Sequence, residues 1–300
     1  MTSLPRKRGL LLLVAATGIA TAFILFGRET ETRRAITPGA DLHDTVTAYA
    51  ASLSPDGAYR PPSPAERRTL VDGLAALRGA SPATAVADLA EVGFTVTFAT
   101  DSATGRSYAM AMDEPGGERA WGLYVVDLDH PVRVLVEVPH PNYDLRTEEV
   151  GLALWRAAPG ALLAISGTHR AVGNGAGDVA HRTDSMFHAV AVDQANRGVA
   201  QIQLHGFDDD SLPDTDVVLS TGTDNPGPTA KAAADRLSDA GLTVCRPWKT
   251  ACGKLEGTRN KQGILAAEAD ALFLHVEMSR TVRDSREKRA AVVTALAVTR

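Results

Sequence analysis

Short apolar runs, and the polar residues that interrupt them, set the rhythm of this chain. From Ala120 onward apolar runs alternate with helix-forming stretches. The runs predict strands at Trp121–Val126, Val132–Val138, Ala161–Ser166, Val199–Leu204, Val217–Ser220, Leu242–Cys245 and Ala271–Glu277. Helices are expected at Glu148–Arg156, Arg182–Asn196, Pro228–Asp239, Asn260–Ala269 and Glu287–Ala297. The runs are continuous rather than alternating, as in strands covered on both faces. Strand following helix in this order argues an α/β fold with a mainly parallel sheet flanked by helices, over residues 120–300.

Upstream the pattern differs. Leu42–Leu53 predicts a helix, and Pro61, Pro62 and Pro64 interrupt it. Ser63-Pro64-Ala65-Glu66 reads as a helix start, with a Ser cap, Pro in the first position and an acid in the first turn, running to about Arg78. Ser81–Val92 predicts another helix. Phe94–Thr100 and Ser107–Met112 predict a hairpin around the turn Asp101–Arg106. Residues 42–119 therefore read as a small α+β cap region, and residues 29–41, charged and Thr-rich, as a linker. Before them Arg6, Lys7 and Arg8 precede the uncharged stretch Gly9–Gly27. As a helix it would span about 28 Å, close to a bilayer core, with the basic flank cytoplasmic and the rest of the chain outside. Residues 1–28 are thus expected to form a membrane anchor. A cleaved signal peptide, leaving a secreted chain, is the rival; bulky Phe23–Phe26 argue against cleavage.

Composition adds bounds. The chain has 300 residues, 44% of them apolar, enough for a substantial core, and a net charge of only -5, so neither disorder nor a nucleic-acid footprint is indicated. An exported chain meets oxidising conditions, and its two cysteines, Cys245 and Cys252, are expected to form a local disulfide.

The candidate chemistry gathers where apolar strands stop, which is where open α/β sheets bind their ligands. VRVLVEVP runs into His140, AQIQL runs into His205, and ALFLHVEM carries His275 and Glu277. After His140 the chain turns through Asp144, and Thr147 would cap a helix holding Glu148 and Glu149 in its first turn. Two His and a carboxylate are ligand types of a catalytic zinc site. Acids in a first turn are also common because they favour the helix dipole. Gly206 would allow a ligand-facing loop to approach closely. Glu277 stands among apolar neighbours, where an unpartnered carboxylate costs several kcal/mol or takes up a proton. A metal, a general-base role, or an ion pair with Arg280 or Arg283 would each account for it. Gly167–Arg170, the Gly-rich stretch up to Asp178, His181–Ser185 and Asn260–Gly263 could face the same crevice. The Walker and dinucleotide fingerprints, the Gly-x-Ser-x-Gly elbow and His-Glu-x-x-His are all missing.

In the order His140, Glu148, His205, Glu277, over roughly Val132 to Arg283, the chain resembles the zinc-dependent amidohydrolase and carboxypeptidase-like α/β superfamily, which includes N-acetylmuramoyl-alanine amidases, poly-gamma-glutamate hydrolases and zinc carboxypeptidases. The His-to-Glu spacing departs from that of the carboxypeptidases. The resemblance implies zinc held by His140, Glu148 and His205, with Asp144, Glu149 or His275 as alternative ligands, and Glu277 as the catalytic base. Arg170, His181 or Arg283 would bind a substrate carboxylate. The expected substrate bears an amide bond, such as a cell-wall (peptidoglycan) peptide or a gamma-glutamyl compound. Two other readings stay open: a membrane-anchored binding protein with a degenerate site, and a phosphate-ester hydrolase.

Overall fold

The computed structural model describes residues 1–2, 41–223 and 226–297. The expected anchor and most of the linker lie outside them. No helix among the described residues is long and apolar enough to cross a membrane.

Three helices lead: α1 (Leu42–Ser52), α2 (Pro64–Ala76) and α3 (Pro82–Glu91). The Ser63 hydroxyl accepts from the Glu66 N–H while the Glu66 carboxylate accepts from the Ser63 N–H, so the expected start of α2 forms a full capping box. The hairpin β1 (Thr95–Thr100) and β2 (Ser107–Met112) follows, then β3 (Leu123–Asp127), β4 (Val134–Val138), α4 (Thr147–Ala157) and β5 (Ala161–Ile165). Two short 3-10 turns precede α5 (Met186–Asn196) and β6 (Ala200–Phe207). The chain ends with β7 (Val217–Ser220), α6 (Pro228–Asp239), β8 (Val244–Cys245), α7 (Lys261–Glu268), β9 (Phe273–Ser279), α8 (Arg280–Asp284) and α9 (Arg286–Leu296).

The strands form one nine-stranded sheet in the order β1-β2-β3-β5-β4-β6-β9-β7-β8. It is mixed, which corrects the expectation of a mainly parallel sheet. β5, β4, β6 and β9 run parallel at the centre. β1, β2 and β3 are antiparallel, as are β3 with β5 and β7 with β9. The reason is connection length. A parallel return needs a crossover of a dozen or more residues, and residues 128–133 and 208–216 are too few. Residues 42–119 supply one edge of this same sheet through β1 and β2, and the described residues from Asp41 onward belong to one compact unit.

Helices cover both faces. α1, α4, α6 and α9 pack on one side, around Trp155, Val136 and Leu204. α2, α3, α5 and α7 pack on the other, around Leu70, Tyr124 and Phe187. The expected disulfide joins Cys245 and Cys252. Two local readings change. β6 continues through His205 to Phe207, so His205 sits within a strand rather than opening a loop. Thr147 is the first residue of α4, and Arg146, in the left-handed region at φ 69°, takes the cap position.

Candidate metal centre

The site forms at the carboxyl ends of β4 and β6, which are parallel neighbours. Beyond β4, Pro139 leads to His140, and the Asp144 N–H donates to the His140 carbonyl at 2.9 Å. This turn is possible because Asn142 takes a left-handed conformation at φ 60°, which Asn tolerates. It brings the Asp144 carboxylate back over its own strand, 3.2 Å from His140 Nδ1. The same oxygen, Oδ2, lies 3.4 Å from His205 Nδ1 on β6. All three residues are buried.

The far nitrogen of each ring is engaged. His140 Nε2 lies 2.9 Å from Asp178 Oδ1, a carboxylate that also pairs with His181 at 3.0 Å and Arg170 at 3.3 Å. A carboxylate oxygen accepts, so Nε2–H donates. His205 Nε2 donates to Gln203 Oε1 at 2.7 Å. Burial opposes charge on His140, but Asp144 and Asp178 outweigh it and raise its pKa; once a metal displaces the proton on its Nδ1, both rings donate through Nε2 and carry their lone pairs on Nδ1. Two lone pairs and a carboxylate oxygen then converge on one buried point. Such a set repels itself unless a cation or proton fills the middle. Tetrahedral zinc with bonds of about 2.0–2.1 Å separates its ligands by about 3.3 Å, so the donor set fits zinc in both type and spacing. Burial opposes ionisation of Asp144, but the two imidazoles outweigh it and hold the carboxyl well below the usual range. Burial pushes His205 down to about 4, against the pull of Asp144.

Glu277 on β9 lies directly across from His205 in the parallel ladder. Burial first, and the Asp144 charge second, push its carboxyl up to about 8. Its Oε2 has no partner among the described residues. His275, two residues earlier, stacks on His205 with ring centroids 4.5 Å apart and stands 4.0 Å from Glu277 Oε1. His205, His275 and Glu277 form a second group with metal-ligand spacing. A single neutral imidazole offers one lone pair, and that of His205 faces Asp144. His275 and Glu277 therefore form the wall beside the first group.

A cleft of about 600 Å³ opens over these residues. Arg170 and His181 line it, Arg170 lying over the Tyr143 ring at 5.3 Å. The other assignments change. Glu148 belongs to neither group with metal-ligand spacing: the turn places Asp144 between the histidines, and Glu148 lies largely buried in the first turn of α4, its carboxyl raised by that burial and its Oε2 without a partner among the described residues. Glu149 pairs instead with Arg146 at 3.3 Å and Arg289 at 3.2 Å. Arg283 reaches the cleft wall, but it donates to the carbonyls of Met278, Leu145 and Phe207 at 3.1, 2.9 and 2.9 Å. It ties β6, β9 and the turn before α4 together. Gly206 makes room for this guanidinium rather than for a ligand, since a Cβ there would collide with it.

Residues the sequence reading left out are Asp178, which holds His140, Gln203, which holds His205, and the exposed Tyr143 and Arg259 at the cleft. A period-two signal existed for one of them: Gln201, Gln203 and His205 alternate along β6. Asp178 lies in a loop 38 residues beyond His140, with no local signal.

No protein-family model matches this chain, and no curated protein does. Similar solved structures include a bacteriophage poly-gamma-glutamate hydrolase, 15% identical, covering 56% of this chain and 84% of that one at a TM-score of 0.38. A metallo-carboxypeptidase from Burkholderia cenocepacia is 12% identical, with 80% and 69% covered and a TM-score of 0.38. An aspartoacylase family protein from Mesorhizobium loti is 12% identical, with 67% and 70% covered and a TM-score of 0.36. Likenesses this distant identify no activity.

Proposed function

We propose that this protein is a zinc-dependent hydrolase of amide bonds. The observation that carries the reading is the convergence of His140 Nδ1, His205 Nδ1 and Asp144 Oδ2 on one buried point beneath a cleft, with Glu277 beside it. Those three residues would hold zinc, with Asp144 in the place the sequence assigned to Glu148. Zinc there would supply a Lewis acid for the scissile carbonyl and acidify a water. Glu277, across the ladder from His205 and in the cleft, is the group we assign to take the water's proton and deliver it to the leaving amine. Asp178 orients His140. Arg170 and His181, at the cleft, are the groups we assign to a substrate carboxylate. Arg283 stabilises the wall instead.

An amide polymer rich in free carboxylates suits this cleft, and a cell-wall peptide or gamma-glutamyl chain is the substrate we favour. The Cys245–Cys252 disulfide supports a location outside the reducing cytoplasm.

The test pairs elemental analysis with amine release from gamma-glutamyl and cell-wall peptides. About one zinc per chain is expected, with hydrolysis lost on chelation and restored by zinc. A chain that takes up no zinc, or hydrolyses fully in chelator, would overturn the reading.

A further inference from the structure

Behind His205 lies a closed chain of side-chain amides anchored at both ends by backbone groups. At one end Asn260 caps α7: its Oδ1 accepts from the N–H groups of Gln262 and Gly263, each at 3.0 Å. A backbone N–H only donates, so the Asn260 oxygen faces the helix and its Nδ2 faces away. Nδ2 donates to Gln203 Oε1. At the other end Gln262 Nε2 donates to the Val179 carbonyl at 3.1 Å. A carbonyl only accepts, so Gln262 turns its oxygen toward Gln203, 3.3 Å from Gln203 Nε2. Gln203 Nε2 also donates to Glu137 Oε2 at 3.1 Å. The two anchors agree on one orientation of the Gln203 amide. Its oxygen meets Asn260 and His205, and its NH₂ meets Gln262 and Glu137.

We infer that Asn260 and Gln203 are positioning residues that fix His205 as the Nε2–H tautomer, so that the cap of α7 dictates which nitrogen faces Asp144. His205 has an acceptor at each nitrogen, Gln203 Oε1 at 2.7 Å from Nε2 and Asp144 Oδ2 at 3.4 Å from Nδ1; the nearer one takes the hydrogen, so Nε2 carries it. Its lone pair is then on Nδ1, toward Asp144 and the metal position. Were the Gln203 amide turned over, its NH₂ would face Nε2, the hydrogen would move to Nδ1, and the metal position would be blocked. The effect on zinc rests on the metal reading above. The tautomer itself does not.

Asn260→Asp separates this inference from simple electrostatics. A carboxylate at 260 still caps the helix, but its second oxygen only accepts, so the Gln203 amide turns over to meet it. Zinc affinity should fall about tenfold to a hundredfold, the range for losing an outer partner of a metal-bound His. A negative charge acting only through its field would tighten binding instead. Asn260→Ser keeps an oxygen for the cap and removes the donor without forcing the amide over, so its loss should be smaller. Gln203→Met, close in volume, removes the acceptor and should also weaken zinc about tenfold.

Zinc dissociation constants of the full-length protein would be measured by chelator competition, with thermal unfolding of the metal-free protein as the control for folding. Long-range proton–nitrogen NMR of the metal-free protein reads the ring directly: His205 should show hydrogen on Nε2 in the wild type and on Nδ1 in Asn260→Asp. Unchanged or tighter zinc binding in folded Asn260→Asp would overturn the inference, as would hydrogen on Nδ1 in the wild type. If the wild type binds no zinc, the metal reading falls, and the NMR arm still decides the tautomer.

Discussion

Two rows of polar side chains cross the same face of the sheet, two residues apart along each strand. The inner row is Glu137, Gln203, His275 and Ser220, on β4, β6, β9 and β7. The outer row is His205 and Glu277. Each row carries a glutamate that burial pushes up to about 8. The surroundings then part. Glu137 is sealed behind α7, bonded through Gln203 to Gln262 and on to His188 on α5, at 3.1, 3.3 and 3.1 Å. Glu277 looks into the cleft, in the fields of Asp144, His140, Arg170 and Arg283. The same desolvation gives one carboxyl that stays protonated as a structural acceptor and one that can exchange a proton with a ligand. A raised pKa marks a functional group only where the group also meets the cleft.

The largest effect should come from breaking the metal centre beside the outer row. His140→Ala and Asp144→Ala should each weaken zinc binding by more than about a hundredfold, the upper end for loss of a mere outer partner. Glu148→Gln should leave the metal bound, although the sequence marks Glu148 as the ligand. Zinc retained by Asp144→Ala and lost by Glu148→Gln would reverse that assignment. Next comes the contrast between the two glutamates. Glu277→Gln should keep zinc and lower kcat by at least about a hundredfold, the lower range for removing a positioned base. Glu137→Gln should leave kcat within a factor of a few. Equal losses in both would mean that the rows act as one structural unit and Glu277 has no separate role.

Much of this was legible in the sequence. The capping box at Ser63, every strand, most of the helices and the disulfide follow from local pattern. His140, His205 and Glu277 were legible because polar residues at the ends of buried strands need a reason to be there. The direction of the outer strands was readable in principle from connections such as 128–133, too short for a crossover. Asp144 against Glu148 was not readable. It depends on a turn with Asn142 and Arg146 in left-handed conformations, and nothing in the spacing decides where that turn places its carboxylates. Asp178 and Asn260 reach their partners across 38 and 57 residues of sequence. Such pairings come from tertiary packing. The inner row was hidden differently: Glu137 and Gln203 lie inside runs that read as continuous apolar strand, and their period of two shows only once they are known to share a face.

The inner row also predicts a pH dependence of stability. Glu137 is pushed from its ordinary 4.5 up to about 8 by burial. Between those values the folded chain holds a proton that the unfolded chain has released. Its contribution is therefore complete below about pH 4.5 and is lost as pH rises through about 8. The full loss is on the order of 5 kcal/mol. His188, pushed from 6.5 down to about 4 by burial, has the opposite sense. Its contribution is present above about pH 6.5 and fades as pH falls toward 4. Glu137→Gln keeps an oxygen for Gln203 and removes this share of the alkaline arm, leaving that of Glu277. Urea unfolding at pH 6 and pH 9 should show stability falling between the two in both proteins, and falling less in the variant. Equal slopes would mean that Glu137 does not carry the proton.

The smallest effect separates the cleft's rim from its floor. Cys245–Cys252 closes a short loop just before Lys254, Arg259 and the other rim residues of that segment, and the Cys252 N–H is held by the Glu256 carboxylate at 2.8 Å. A loop this short gives up little chain entropy when closed, about 2–3 kcal/mol on that account. Cys245→Ala/Cys252→Ala should therefore lower stability by no more than about that amount. Its functional cost should fall on the rim, as a raised KM, since Lys254 and Arg259 face the cleft opening. Zinc affinity should hold, because Asn260 is anchored separately by α7 and Gln203. A variant that loses zinc while keeping its KM would show that the loop supports the floor of the site, and the separation between rim and floor would fail.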